Sequence, residues 1–550
     1  MIDFQVPGRL APRLSEPGVL SRKVLVLLAV LAGLLIAASP PTYAQQASYD
    51  VLIRGGQVID GTGRPAVDAD VGIRDDTIAA VGDLSNAAAE RTIDASGLVV
   101  APGFIDGHSH AAGGLSDSAR SAARPLLAQG ITTVVVNPDG GGPADLTEQR
   151  EKFRRHGLGV NVFQLVPYGA VRTEVMDEQD RPPTPAEQKE LRARVEREMA
   201  TGAIGLSTGL FYAPGTYAKT QEIVDAAQVA SRHGGVYQSH VRDEGGYSVG
   251  VLAANRELIE IARRADLPAI HTHIKAFGPR EQGLSDELVS QIQDARDEGL
   301  SVFADLYPYR AAGGSVAGIL VPREELAGGL DTLRAEIKDD PSARRRVLDG
   351  IRESIQLEGG PSSILLRDVP EAPELEGKTL QEAAESRNTE PASLALDLLL
   401  RGRTGYVVFG MKEQDIETFL RQPWTMVASD GGLSKDQLPH PRSYGTFPKV
   451  IETYVQERGV LGLEEAIWRM TSLYREAYPI QERGLLEEGR KADVVIFDPD
   501  RVRAPSSYLK PRQLSEGMVH VLVNGRLAIR DGEFAERRAG RVLDRATEAR

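Results

Sequence analysis

Apolar and polar positions change their spacing along the chain, and the changes divide it into blocks. Over residues 49–56, 68–73, 77–82 and 91–95, short runs alternate apolar and polar side chains between Gly and Asp turns. That period of two predicts half-buried strands. A matching block returns at 492–497, 519–525 and 526–529. The two blocks are expected to pair as one discontinuous β-sandwich over 45–102 and 484–550. The chain would leave it near Pro102 and re-enter near Gly484.

Between these blocks the runs become continuous rather than alternating, as in strands buried on both faces. They fall at 99–107, 131–136, 160–166, 204–208, 235–239, 267–272, 300–305 and 425–430, with helical patterns between them. A helix is expected over 116–128. Thr184-Pro185-Ala186-Glu187 opens a longer one, with Thr as cap and Pro in the first turn. Eight such strands with intervening helices predict an α/β chain folded as a (β/α)8 TIM-type barrel over 103–483. The interval from Asp305 to Asp430 is too long for one connection. It predicts an insertion between strands seven and eight, about 312–422, placed to cover an active site.

A chain of 550 residues is long enough for a large core plus an accessory domain. The formal net charge of -14 and the lack of a basic stripe argue against a nucleic-acid partner. At the N-terminus, Arg22-Lys23 precede an uncharged apolar run at 24–38, followed by small residues up to Ala44. This predicts a signal peptide over 1–44 and a periplasmic or extracellular address. The run is short for a membrane span, so no stable span is expected after cleavage; an uncleaved anchor is the alternative. There is no cysteine, hence neither a disulfide nor a lipidated thiol.

The chemistry lies in the histidines. Of nine, His108, His110, His240 and His273 follow short apolar strands. His108 and His110 stand two apart and face the same way on an extended strand. Imidazoles collected at one rim of a barrel suit a divalent transition metal. Asp430, in Ser429-Asp430-Gly431-Gly432, is the candidate acid/base, its alternative role being a turn cap. His271 shares the facing of His273 but reads better as a packed residue.

Several segments together resemble the D-aminoacylase (N-acyl-D-amino-acid deacylase) branch of the metal-dependent amidohydrolases. They are Ala101-Pro102-Gly103-Phe104-Ile105-Asp106-Gly107-His108-Ser109-His110, Gly205-Leu206-Ser207-Thr208-Gly209-Leu210, Ser239-His240-Val241-Arg242-Asp243-Glu244 and His273-Ile274-Lys275-Ala276-Phe277-Gly278. Asp305-Leu306-Tyr307-Pro308-Tyr309, Ala428-Ser429-Asp430-Gly431-Gly432 and His440-Pro441-Arg442-Ser443-Tyr444-Gly445-Thr446-Phe447-Pro448 complete the set. The resemblance implies zinc and hydrolysis of the amide in N-acyl-D-amino acids, small acylated substrates. It places His108 and His110 at one metal position, His240 and His273 at another, and Asp430 as catalytic acid/base. It assigns the substrate carboxylate to Lys275, helped by Arg442 and by Tyr212, Tyr307 or Tyr309.

Two departures qualify this. Relatives carry a Cys ligand after strand two, where this chain reads Val136-Asn137-Pro138-Asp139-Gly140. Asp139 is then either a carboxylate ligand, which would favour Mn²⁺ or Co²⁺ beside zinc or a two-ion centre, or a plain turn residue. The segment at 166–172 lacks the histidine that relatives often place there, which leaves pocket shape open. A cyclic-amide hydrolase or dipeptidase on the same scaffold, and an exported binding protein without activity, are the competing readings.

Overall fold

The computed structural model describes residues 48–435 and 438–545. The expected leader at 1–44 lies outside them.

The N-terminal block forms β1 (Ser48–Val58), β2 (Val67–Arg74), β3 (Thr77–Gly82), β4 (Ala88–Asp94) and β5 (Val99–Pro102). The middle of the chain forms β6 (Phe104–His110), β7 (Ile131–Val136), β8 (Asn161–Gln164), β9 (Val166–Pro167), β10 (Gly205–Gly209), β11 (Val236–His240), β12 (Ala269–His271) and β13 (Val302–Leu306). Then come β14 (Ala311–Ser315), β15 (Ile364–Arg367), β16 (Gly405–Phe409), β17 (Thr425–Val427) and β18 (Gly431–Gly432). The C-terminal block forms β19 (Val494–Phe497), β20 (Met518–Val523), β21 (Arg526–Arg530) and β22 (Glu533–Phe534).

The terminal blocks share one nine-stranded sheet, ordered β22-β21-β20-β19-β5-β1-β2-β3, with β4 beside β1. The seam is β5, parallel to β1 and antiparallel to β19. Hydrogen bonding is continuous, yet one apolar core gathers Ile53, Ile73 and Ile93 with Val494, Ile496 and Leu522. A single sheet therefore wraps around its own core. The central strands are apolar on both faces because Val495, Phe497, Val521 and Val523 point the other way, into the main core.

Two parallel sheets make up the middle of the chain: β18-β6-β7-β8 and β17-β13-β12-β11-β10-β9. The expected third strand at 160–166 is split at Leu165, with β8 pairing β7 and β9 pairing β10. The eighth is split in the same way: β17 pairs β13 and β18 pairs β6. Backbone bonds bridge both breaks, from Ile204 N–H to the Gln164 carbonyl (3.0 Å) and from Asp430 N–H to the His108 carbonyl (2.9 Å).

The helix opened by Thr184 spans Pro185–Ala200 with a complete capping box to Glu187. The expected helix over 116–128 is reduced to one short turn, Arg124–Leu127, with another, Ala112–Leu115, just before the range. Asp117 bonds the Ala119 N–H (2.9 Å), and Ala123 sits at φ 54°, which breaks the helical path. Between β13 and β17 the chain builds an antiparallel sheet, β14-β16-β15, and helices including Pro341–Leu357 and Pro391–Arg401. These pack a second apolar core around Ile351, Leu366, Leu396 and Tyr406, which reaches Phe277 and Tyr307. No described helix is long and apolar enough to cross a membrane.

Candidate metal centre and its cavity

The candidate residues sit where parallel strands end. His108 and His110 close β6; the His108 side chain is fully buried and that of His110 is 43% exposed. His240 ends β11. Asp139, His273 and Asp430 lie just beyond strands, and all three hold left-handed backbone, at φ 55°, 38° and 48°. Such conformations cost energy for non-glycine residues and cluster at functional sites. Two anchors hold Asp430 and His273 here. Asp106 accepts from the Ser429 N–H (2.8 Å) and hydroxyl (2.6 Å), which fixes the residue before Asp430. Asp305 accepts from the His273 N–H at 2.7 Å.

Two groups of ligand-type atoms result, with Asp139 common to both: His108, His110, Asp139 and Asp430, and Asp139, His240 and His273. Asp139 Oδ2 is 3.4 Å from His108 Nε2 and 3.2 Å from His110 Nε2. Its Oδ1 is 3.8 Å from His273 Nε2. Asp430 Oδ1 is 3.5 Å from His108 Nε2 and 3.1 Å from His110 Nε2. Both ring nitrogens of His108 and of His240, and Asp139 Oδ1, are buried without a hydrogen-bond partner among the described residues. Buried polar atoms are seldom left so. This donor set fits one or two divalent ions.

The two groups sit in different electrostatic surroundings. Removal from water would depress His108 and His110, but Asp139 and Asp430 outweigh it and push His110 up to about 10. Burial would raise the two carboxyls. The imidazoles hold Asp139 well below the carboxylate range, and Arg442 with the imidazoles does the same to Asp430. Burial keeps His240, down at about 3, and His273 neutral, which is the ligand form.

A cavity of about 700 Å³ opens over this cluster. Lys275 Nζ contacts Glu244 Oε1 (2.8 Å) and His273 Nδ1 (2.7 Å). Arg442 Nη1 is 2.7 Å from Asp430 Oδ2, and its guanidinium lies over the Tyr307 ring. Tyr212 and Tyr307 line the cavity; Tyr212 stacks beside His240 at 4.7 Å. Tyr309 does not join them. It stands behind His440 with its hydroxyl turned to the Pro441 carbonyl, because the His440 ring fills the space between. His271 is a packed residue, bonded to Asn255 at 2.9 Å.

Sequence reasoning missed Glu244, whose carboxylate reaches Lys275, His273 (3.0 Å) and His240 (3.4 Å). Its place four residues beyond His240 was the available signal. Asp106 and Asp305 were missed as anchors, although Asp106 stands two residues before His108 in β6 and Asp305 next to the end of β13. Burial raises both, Asp106 to about 6 and Asp305 to about 7.

The amidohydrolase family model matches residues 91–318 and 375–529. A D-aminoacylase of Alcaligenes xylosoxydans xylosoxydans is 35% identical over 90% of this chain and 98% of its own. An N-acyl-D-aspartate deacylase of the same organism is also 35% identical, over 90% of this chain and 95% of its own. A crystal structure of N-acyl-D-glutamate deacylase from Bordetella bronchiseptica, complexed with zinc and a phosphonate inhibitor, superposes with a TM-score of 0.78. It is 31% identical and covers 90% of this chain and 100% of its own.

Proposed function

This chain belongs to the amidohydrolase family, and from that premise we propose that it hydrolyses the amide bond of N-acyl-D-amino acids, releasing a carboxylate and a D-amino acid. The carrying observation is the position of Asp430 between the histidine cluster and Arg442, which puts an acid/base within reach of both ends of such a substrate.

His108, His110, Asp139, His240 and His273 would hold the metal, and the donor set suits zinc. The carboxylate at 139 also admits Mn²⁺ or Co²⁺. When bound, the ion polarises the scissile carbonyl and makes water easier to deprotonate. The protein's own groups do the rest. Arg442, Lys275, Tyr212 and Tyr307 bind and orient the substrate α-carboxylate, for which guanidinium, ammonium and phenol are matched donors. Asp430 Oδ1 takes the proton of the attacking water and hands it to the departing amide nitrogen. The C–N bond breaks, a C–O bond forms, and Asp430 returns to its ionised state.

The two parallel sheets, bridged at both breaks, are read as one eight-stranded (β/α)8 barrel, with β8/β9 and β17/β18 as interrupted strands. The nine-stranded sheet is its accessory domain and β14–β16 its insertion. The leader at 1–44 supports an exported protein; N-terminal sequencing of the protein from periplasm or medium should begin near residue 45.

The test of the activity is a parallel assay of N-acetyl-D-methionine, its L-isomer, a hydantoin and a dipeptide with zinc-loaded enzyme. Hydrolysis of the D-isomer is expected. Turnover of the ring substrate alone would replace this reading with a cyclic-amide hydrolase.

A further inference from the structure

Among the described residues, four lysine and arginine side chains line the cavity: Lys275, Arg367, Arg403 and Arg442. Three of them face a carboxylate, Lys275 at Glu244 (2.8 Å), Arg442 at Asp430 (2.7 Å) and Arg403 at Asp368 (3.7 Å). Arg367 has no such partner among the described residues. It ends β15 in the inserted sheet. Its Nε donates to the Tyr406 carbonyl (3.1 Å) and Nη1 to the Leu438 carbonyl (3.0 Å), so the guanidinium is held in one orientation. Nη2 has no acceptor among the described residues. It lies 3.4 Å from where a Cβ on Gly313 would sit, beside His440, so the absent side chain at 313 leaves it open to the cavity. Arg367 and Arg442 both bear on His440, which burial and these two charges keep neutral. Arg442, tied to Asp430, serves the reacting end of the cavity; Arg367, carried by the insertion, is set apart for another group.

We infer that Arg367 is a specificity-determining residue that binds a second carboxylate of the substrate, directing the enzyme to N-acyl derivatives of acidic D-amino acids. This rests on the deacylase reading above. A partly buried guanidinium with unused donors in fixed geometry is a matched receptor for a carboxylate. Burial brings Arg367 down to about 10, still charged at neutral pH, and an anionic side chain would offset that lost solvation. A neutral side chain would leave the donors unsatisfied, which is how polar sites discriminate.

The test compares zinc-loaded wild type, Arg367→Met and Arg367→Lys on N-acetyl-D-glutamate, N-acetyl-D-aspartate, N-acetyl-D-glutamine and N-acetyl-D-methionine. Wild type should prefer the two acidic substrates. Arg367→Met should lose on the order of 10- to 100-fold in kcat/KM on them, mainly through KM, and stay within about threefold on the neutral pair. Arg367→Lys should recover part of the loss. Calorimetry of D-glutamate against D-glutamine should show the same selectivity in wild type and its loss in Arg367→Met. Equal losses on all four substrates, or a wild type indifferent to substrate charge, would overturn the assignment. If no substrate turns over, the deacylase reading falls, and equal binding of D-glutamate and D-glutamine to wild type would overturn the role of Arg367 separately.

Discussion

Asp139 points Oδ1 at His273 Nε2 across 3.8 Å, from a backbone held at φ 55°. The other oxygen of the same carboxylate is 3.2 Å from His110 Nε2. One side chain thus faces both histidine pairs, and only a carboxylate at this position has an oxygen for each. Asp139→Ala should therefore weaken metal binding on both sides at once. Metal content after dialysis, read by mass spectrometry, is expected to fall well below that of wild type. Full retention of metal by the variant would show that Asp139 is only a turn residue.

Asp430 has a separate part. Asp430→Asn keeps the shape and the contact to Arg442 but cannot accept a proton. Metal content should stay near wild type while kcat drops by roughly 10²–10⁴-fold, the usual weight of a positioned acid/base. Unchanged turnover would remove Asp430 from that role.

Glu358 supplies a pH test away from the metal. Its carboxyl is buried, accepts from the Tyr247 hydroxyl at 2.6 Å, and is pushed up to about 8. The unfolded chain ionises near 4.5, so between pH 4.5 and 8 the folded state holds a proton that the unfolded state has lost. Stability from this group therefore falls as pH rises through that window, by about 1.4 kcal/mol per pH unit. Glu358→Gln should remove the decline. Denaturant midpoints at pH 5 and pH 8 should differ less in the variant than in wild type.

Gly107 separates Asp106 from His108, and a Cβ there would lie 2.2 Å from Tyr474 Cε1, deep in the core. Gly107→Ala should cost about 1–3 kcal/mol by overpacking and shift the histidine pair. Urea unfolding measures the first effect and metal affinity the second. A variant with wild-type values for both would show that Tyr474 yields freely.

Much of this was legible along the chain because apolar runs report burial locally. The runs ending at His108, His110 and His240 became β6 and β11, and Thr184 and Glu187 formed the expected capping box. The breaks at Leu165 and before Asp430 were not legible. An apolar run looks the same whether one sheet or two receive it, and the partner strands decide. The region 116–128 misled because its helical pattern is outbid by the Asp117 side chain and by Ala123.

By itself the sequence determined which chemical groups stand at the strand ends, since strand periodicity depends on neighbours a few residues away. Tertiary structure alone decided which group meets which: Asp139 between two histidine pairs, Glu244 against Lys275, Tyr309 behind His440, and Arg367 with no carboxylate against it among the described residues. The reason is physical. These contacts join residues far apart in the chain, and their distances are set by how the sheets meet and how the insertion packs over them, which no local pattern encodes.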